Sequence, residues 1–482
     1  VPLGEILLAK SLLDEKQLEK AAERQKVVGG LLGDNLVALG FISREKLEEV
    51  LREAPPTPKN IRETDLDSQF LLNLLLKAMY VAGLQTIPEI SDHMKLGRLI
   101  VEEVLQIAKK EALLEVRGTA DANFTLLRHN LTSAGRERAS ESMRQCQYVG
   151  PTPVPLSDYQ TQTQKQSITN ERIDAATLSR ALSHLVLPRE IMRRLGPAIN
   201  SGRAILFYGS PGNGKTSIAE AIGHTFKQRI YIPYCVEADG QIIKIFDSAV
   251  HRQESPQTNG DDSNGKSLYL RPPEFDPRWV RCHRPVIISG GELSLQMLDL
   301  QFDPNSKYYE APLQVKATGG IFIIDDFGRQ LVRPLDLLNR WIYPLEKKID
   351  YLILHTGKKF DLHFDQLVVF GTNIPPGQLM DEALLRRVHY KLEINPPSAE
   401  DYKKIFRLVC SYYRLELSEE ILSYLLNSFY PVKRIPLAAF HPKFIVEHAI
   451  AACNFENVTP HLTLELVKDA LENLLVSRPT AA

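Results

Sequence analysis

No apolar run in the chain reaches the length of about 18 residues that a membrane-spanning helix requires, so insertion into a bilayer is not expected. Its first residues carry no signal-peptide pattern. Cysteine is scarce. Cys146, Cys235, Cys282, Cys410 and Cys453 are far apart and form no C-x-x-C pair, which excludes a dense disulfide framework and a spaced zinc site and fits reduced thiols in a cytoplasmic protein. Net charge is nearly absent too: 58 Lys and Arg stand against 59 Asp and Glu, so no overall field draws the chain to nucleic acid or acidic lipid. At 44% hydrophobic and 24% charged it is neither disordered nor collagen-like. Its 482 residues exceed one hydrophobic core and imply several domains.

What is present begins with an internal repeat. LGEILLAKSLLDEKQLEKAAERQ (3–25) aligns with LGDNLVALGFISREKLEEVLREA (32–54) at a constant offset of 29 residues, matching Leu3 to Leu32, Gly4 to Gly33, Leu7 to Leu36 and Leu18 to Leu47. Each copy reads as a short helix, a turn, and an amphipathic helix capped by Asp14 or Ser43. Neither copy can bury its apolar face alone, so the two should pack as one unit over 1–54. The pattern resembles the N-terminal domain of type II secretion and type IV pilus motor ATPases, some of which bind cyclic di-GMP through paired copies. In those members each copy opens with Arg before Leu-Gly and closes with Gln; here Pro2 and Leu31 stand at the first place, and Gln25 and Ala54 at the second. An Arg fork is the natural reader of a guanine edge. Its absence favours protein docking over cyclic di-GMP, which stays as the alternative.

APPTP at 54–58 breaks the chain before a second unit over 60–148. Residues 66–83 read as a helix, TIPEISDHMKLG (86–97) has a helix-turn-helix cadence, and 98–112 read as another amphipathic helix. LLEVRG and FTLLRHNLT follow as two strands, and AGRERASESMRQ (134–145) as a charged helix. That order resembles a winged helix. Its third helix carries Glu102, Glu103 and Glu111 beside Arg98, Lys109 and Lys110, whereas phosphate contacts need a net basic face, so a structural or protein-binding wing is favoured over DNA. VGPTPVPLSDYQTQTQKQSITN and its flanks (149–172), rich in Pro, Gln and Thr, read as an extended linker.

The sharpest motif is GSPGNGKT at 209–216, after the apolar run AILFY and before the helical SIAEAIGHTF. Strand, loop and helix are the context that G-x-x-x-x-G-K-T requires, because loop amides and the helix N-terminus together hold phosphate. Gly209, Ser210, Pro211, Gly212, Asn213 and Gly214 make the loop, Lys215 should reach the β and γ phosphates of ATP, Thr216 should ligate Mg²⁺, and Ser217 follows at the helix start. GGIFIIDDFG (319–328) resembles the partner Walker B strand of P-loop ATPases, with Asp325 placed to hold Mg²⁺; the resemblance implies that Asp326, standing where most relatives have the longer Glu, polarises the attacking water.

DQLVVFGTNIPP (365–376) is another buried strand, ending in Thr372 and Asn373. From here the sequence resembles the AAA+ ATPases over about 180–480. The resemblance implies that Asn373 senses the γ-phosphate and that DEALLRRVHYKLEI (381–394) carries an arginine finger, Arg387 with Arg386 as its substitute, acting on the ATP of a neighbouring subunit. It further implies a homo-oligomeric ring, a hexamer by family habit. After NPPSAEDYKK (395–404) the chain reads as helical to its end. There AFHPKFIVEHAIAA (439–452) resembles the sensor 2 helix, with Lys443 where relatives have Arg.

About ninety residues separate the first core helix from Walker B, and within them Tyr308 and Tyr309 invite two expectations: packing against a neighbouring subunit, or gripping a threaded chain. The fold class is therefore α/β: a P-loop NTPase (AAA+) parallel-sheet core over 173–394 with a helical lid over 395–482, preceded by a small all-α repeat domain and a winged-helix-like α+β domain. The expected function is ATP hydrolysis that remodels a protein partner, in a bacterial secretion, pilus or signalling setting. The rivals are an ATP-switched DNA-binding regulator and a cyclic di-GMP receptor.

Overall fold

The computed structural model describes residues 4, 7–8, 10, 12–28, 32–51, 53–119, 127–254, 275–380 and 382–474. Pro2, Leu3 and Leu31 of the repeat, and residues 255–274, lie outside them. The repeat folds into helices Glu15–Val28, Leu32–Ala38 and Arg44–Leu51. Asp14 accepts from the Gln17 amide at 2.7 Å and Ser43 from the Lys46 amide at 3.2 Å, satisfying helix donors that have no partner in the first turn. Leu7, Leu13 and Ala21 share one apolar cluster with Leu36, Ile42 and Val50, their counterparts 29 residues on. The two copies thus complete a single core.

Helices Ser68–Ala82, Ile87–Met94 and Arg98–Lys110 precede an antiparallel pair, Leu114–Thr119 with Leu127–Leu131, and helix Ser133–Gln145 closes the unit. Its cluster of Leu72, Leu75, Ile100 and Val104 also takes in Cys235 and Ile242 from the core's insertion, so the front unit is packed onto the core. Residues 149–172 correct the extended-linker expectation. Val154–Pro155 joins a sheet and Leu156–Lys165 is a helix with Tyr159, Gln162 and Thr163 buried. Polar composition misleads here because the glutamines bond inward: Gln166 donates to the Tyr231 carbonyl at 2.8 Å and accepts from the Tyr231 amide at 2.9 Å.

The core sheet has five strands, all parallel: β1 (Ile205–Tyr208), β2 (Val286–Ser289), β3 (Ile321–Ile324), β4 (Leu367–Thr372) and β5 (Tyr390–Glu393), in the order β5-β1-β4-β3-β2. Ile205, Phe207, Ile321, Ile323, Leu367 and Val369 face helices Arg189–Asn200 and Lys215–Gly223, while Leu206, Phe322, Ile324, Val368 and Phe370 face helix Pro334–Lys347 and its Trp341. Helices on both faces explain why these strands read as unbroken apolar runs. Each fully buried side chain of this kind contributes roughly 1.5–3 kcal/mol.

The long stretch between β1 and β3 builds an antiparallel pair, Arg229–Pro233 with Trp279–His283, and most of a second, mixed five-stranded sheet. Tyr309 is in that sheet and is buried, and Tyr308 packs edge-on against Tyr148 with ring centroids 5.6 Å apart. The expectation that Tyr309 grips a threaded chain is therefore corrected, since that ring is buried, and the Tyr308 ring makes a contact within the chain. A helical domain ends the described chain, its core formed by Tyr402, Phe406, Leu425, Ile445 and Val467. Among the described residues no single helix is long and apolar enough to cross a membrane, no group of His, Cys, Asp or Glu forms a metal cluster, and the cysteines are free thiols.

Candidate nucleotide site

In a parallel sheet the strand ends open a crevice on the carboxyl side, and the 209–216 loop leaves β1 there, between β4 and β5. Two glycines are required by the backbone. Gly209 sits at φ 132°, and a β-carbon on it would lie 2.4 Å from the Ile394 carbonyl oxygen. Gly212 sits at φ 74°, and a β-carbon there would lie 2.2 Å from the Phe440 ring. Lys215 starts the helix Lys215–Gly223, whose first amides have no partner within the helix.

Four polar side chains meet the lysine's surroundings. Lys215 Nζ donates to the carbonyls of Gly209 and Ser210 at 3.0 and 2.9 Å and to Asn373 Oδ1 at 2.7 Å. Asn373 Nδ2 donates to Asp326 Oδ1 at 3.1 Å. Thr216 Oγ1 donates to Asp325 Oδ2 at 2.8 Å, and the Asp326 amide to Asp325 Oδ1 at 3.0 Å. Burial pushes the Lys215 ammonium below its usual range, while the charges of Asp325 and Asp326 act to raise it. Asp326 holds a left-handed backbone, φ 47°, at the sharp turn after β3, a conformation that Asp tolerates better than most residues. Gln330 braces the turn, donating to the Asp325 carbonyl at 2.7 Å and accepting from the Gly328 amide at 2.8 Å.

These groups line a cleft of about 940 Å³. Pro211, Gly212, Asn213, Gly214, Lys215, Thr216, Ser217, Asp325, Asp326, Asn373 and Lys443 all border it; Gly209 and Ser210 contribute through their carbonyls behind the lysine. Lys443 is mostly solvated and pairs with Glu447 at 3.7 Å. Arg386 and Arg387 are not brought to the cleft of their own chain. Arg386 pairs with Glu382 at 3.7 Å and Arg387 with Glu346 at 3.5 Å.

Sequence reasoning passed over several residues of the cleft. His184 to Leu187, Ile405, Leu408 and Val409 line one part of it, and Arg329, Ala439 and Phe440 another. Arg329 had a local signal, a cation four residues past Asp325; the others had none.

The donor set fits a magnesium-bound triphosphate. A hydroxyl and a carboxylate in contact, Thr216 with Asp325, are hard oxygen ligands of the kind Mg²⁺ takes. The loop amides and the Lys215 ammonium suit phosphate oxygens.

A family model described as Domain of unknown function (DUF8689) matches residues 398–473, the helical C-terminal domain. No curated protein matches the chain. Among solved structures, domain III of the replication initiation protein DnaA from Thermotoga maritima is 14% identical, with 62% of this chain and 98% of that one covered and a TM-score of 0.34. NtrX from Brucella abortus is 10% identical over 79% of this chain and 64% of its own, at 0.35. A single-residue mutant of RuvB from Thermotoga maritima is 14% identical over 64% of this chain and 74% of its own, at 0.32.

Proposed function

We propose that this chain binds ATP with Mg²⁺ in the cleft and hydrolyses it, in the manner of the AAA+ ATPases that its motifs resemble. The observation that carries this is the connected set of Lys215, Asn373, Asp326, Asp325 and Thr216 at the carboxyl ends of β1, β3 and β4. Thr216 and Asp325 would hold the ion, which when bound neutralises charge on the phosphate oxygens. Lys215 and the loop amides bind and orient the triphosphate. Asp326 accepts a proton from the attacking water, and Asn373 keeps both that carboxylate and the lysine in place. Arg387, with Arg386 as substitute, serves the cleft of a neighbouring copy in a ring; their position away from their own chain's cleft supports this.

Turnover is put to use in remodelling a protein partner chosen by the front modules. The packing of the 60–148 unit onto the core supports transmission of movement between them. Measured with fluorescent mant-ATP and by phosphate release, Lys215→Ala should lose both binding and turnover. Unchanged turnover in that variant removes the proposed site.

A further inference from the structure

The phosphate loop is tied directly to the helical C-terminal domain. Asn213 is buried, 6% exposed, and its amide group is used at both ends: Oδ1 accepts from the Ala439 amide at 3.2 Å and Nδ2 donates to the Ser210 carbonyl at 3.4 Å. One residue earlier, the Gly212 carbonyl accepts from the Phe440 amide at 3.0 Å. The Phe440 ring occupies the space where a side chain on residue 212 would be.

Behind Phe440 the connection runs on into that domain. His441 stacks on Tyr430 with an interplanar angle of 8°, and the Tyr430 hydroxyl lies 2.9 Å from His441 Nδ1 and 2.8 Å from the Tyr402 hydroxyl. Tyr402 belongs to helix Ala399–Tyr413, whose Ile405, Leu408 and Val409 also line the cleft. The loop that would hold phosphate and the helix that also lines the cleft are therefore joined through a short set of polar and aromatic contacts, buried at Asn213, His441, Tyr430 and Tyr402. Lys443, mostly solvated and paired with Glu447, is not part of that set.

We infer that Asn213 and Gly212 form a latch with Ala439 and Phe440 that holds the helical domain over the cleft, and that this latch sets how long a bound nucleoside triphosphate stays. The latch is a property of the fold; its effect on retention rests on the nucleotide site proposed above. Asn213 is a positioning residue in this scheme, acting on nucleotide through the domain it holds.

The test is release of mant-ATP with Mg²⁺ from the full chain, in wild type, Asn213→Ala, Phe440→Ala and the double variant, alongside nucleotide-free hydrogen exchange at the Ala439 and Phe440 amides. Loss of one net hydrogen bond corresponds to roughly five- to tenfold faster release. Association should not slow, since a latch already closed in the empty protein can only hinder entry. The double variant should fall short of the product of the two single effects, because the Asn213 bond to Ala439 and the Phe440 ring over Gly212 are adjacent contacts of one seam. Exchange at Ala439 and Phe440 should rise in Asn213→Ala.

Unchanged exchange overturns the latch. Faster exchange with unchanged release overturns its part in retention. Slower association in Asn213→Ala that Phe440→Ala does not reproduce means that Asn213 only shapes the loop, which also overturns the inference. Should wild type fail to bind mant-ATP, the nucleotide site itself falls, and the exchange measurement still decides whether the latch exists.

Discussion

Asn373 stands between Lys215 and Asp326, accepting from the lysine on Oδ1 at 2.7 Å and donating to the aspartate from Nδ2 at 3.1 Å. One amide thus fixes the distance between the cation proposed to hold the triphosphate and the carboxylate proposed to act on water. Asn373→Ala removes that link, leaving Lys215 on the Gly209 and Ser210 carbonyls. Because misplacement of about 1 Å at a reacting centre costs on the order of a hundredfold, Asn373→Ala should lower kcat by about that factor. KM should stay within about threefold, since the loop amides and Lys215 remain. Steady-state phosphate release checks it; a raised KM with kcat intact would make Asn373 a binding group only.

Asp326 offers a cleaner separation of charge from shape. Its φ of 47° is a conformation that Asn also accepts readily, so Asp326→Asn should fold without added backbone strain and lose only the carboxylate. Turnover should fall about a hundredfold or more while mant-ATP still binds. Asp326→Glu restores the carboxylate on a longer arm and should preserve or raise hydrolysis, with a small loss of thermal stability because Glu is less at ease at positive φ. An inactive Glu variant would mean that Asp326 is not the group that meets water.

The parallel sheet was open to view in the sequence because strands covered on both faces are continuous apolar runs: AILFY, GGIFII and DQLVVF mark β1, β3 and β4. β5 was hidden, since in YKLE only Leu392 is buried. The phosphate loop and the two aspartates needed only local pattern, and Asn373 only its place at a strand end. Contacts across long separations leave no such trace. Asn213 meets Ala439 across 226 residues, and nothing in the spacing of either residue announces it. The stretch 149–172 failed for the opposite reason, because side chains that read as solvated, Gln162 and Gln166, are spent on buried bonds.

His441 makes the helical domain sensitive to acid. Burial pushes its imidazole down to about 4, from an ordinary value near 6.5. Between those two values the unfolded chain binds a proton that the folded chain refuses, so this group's contribution to stability rises with pH through that window and is complete above it. Thermal unfolding of the full chain followed from about pH 7 down to about pH 4.5 should show this loss, and His441→Gln, which keeps a polar partner for Tyr430 but cannot titrate, should show less of it. Equal acid sensitivity in the two proteins would assign the effect to other groups.

Arg387 and Arg386 can be tested by alanine substitution, with thermal unfolding as the check on folding; their pairs with Glu346 and Glu382 are long, at 3.5 and 3.7 Å. A finger supplied by a neighbour is worth about a thousandfold or more in kcat. Arg387→Ala should accordingly keep mant-ATP binding and lose about that much turnover, with Arg386→Ala milder. Mixing supplies the deciding measurement. Arg387→Ala chains retain a whole phosphate loop, and Lys215→Ala chains retain Arg387, so neither turns over ATP alone, yet a mixed ring would seat an intact loop beside an intact arginine. Recovery of phosphate release on mixing the two inactive proteins is the expected outcome. If mixtures at any ratio stay as inactive as their components, Arg387 does not act across a boundary between copies, and its role lies within its own chain.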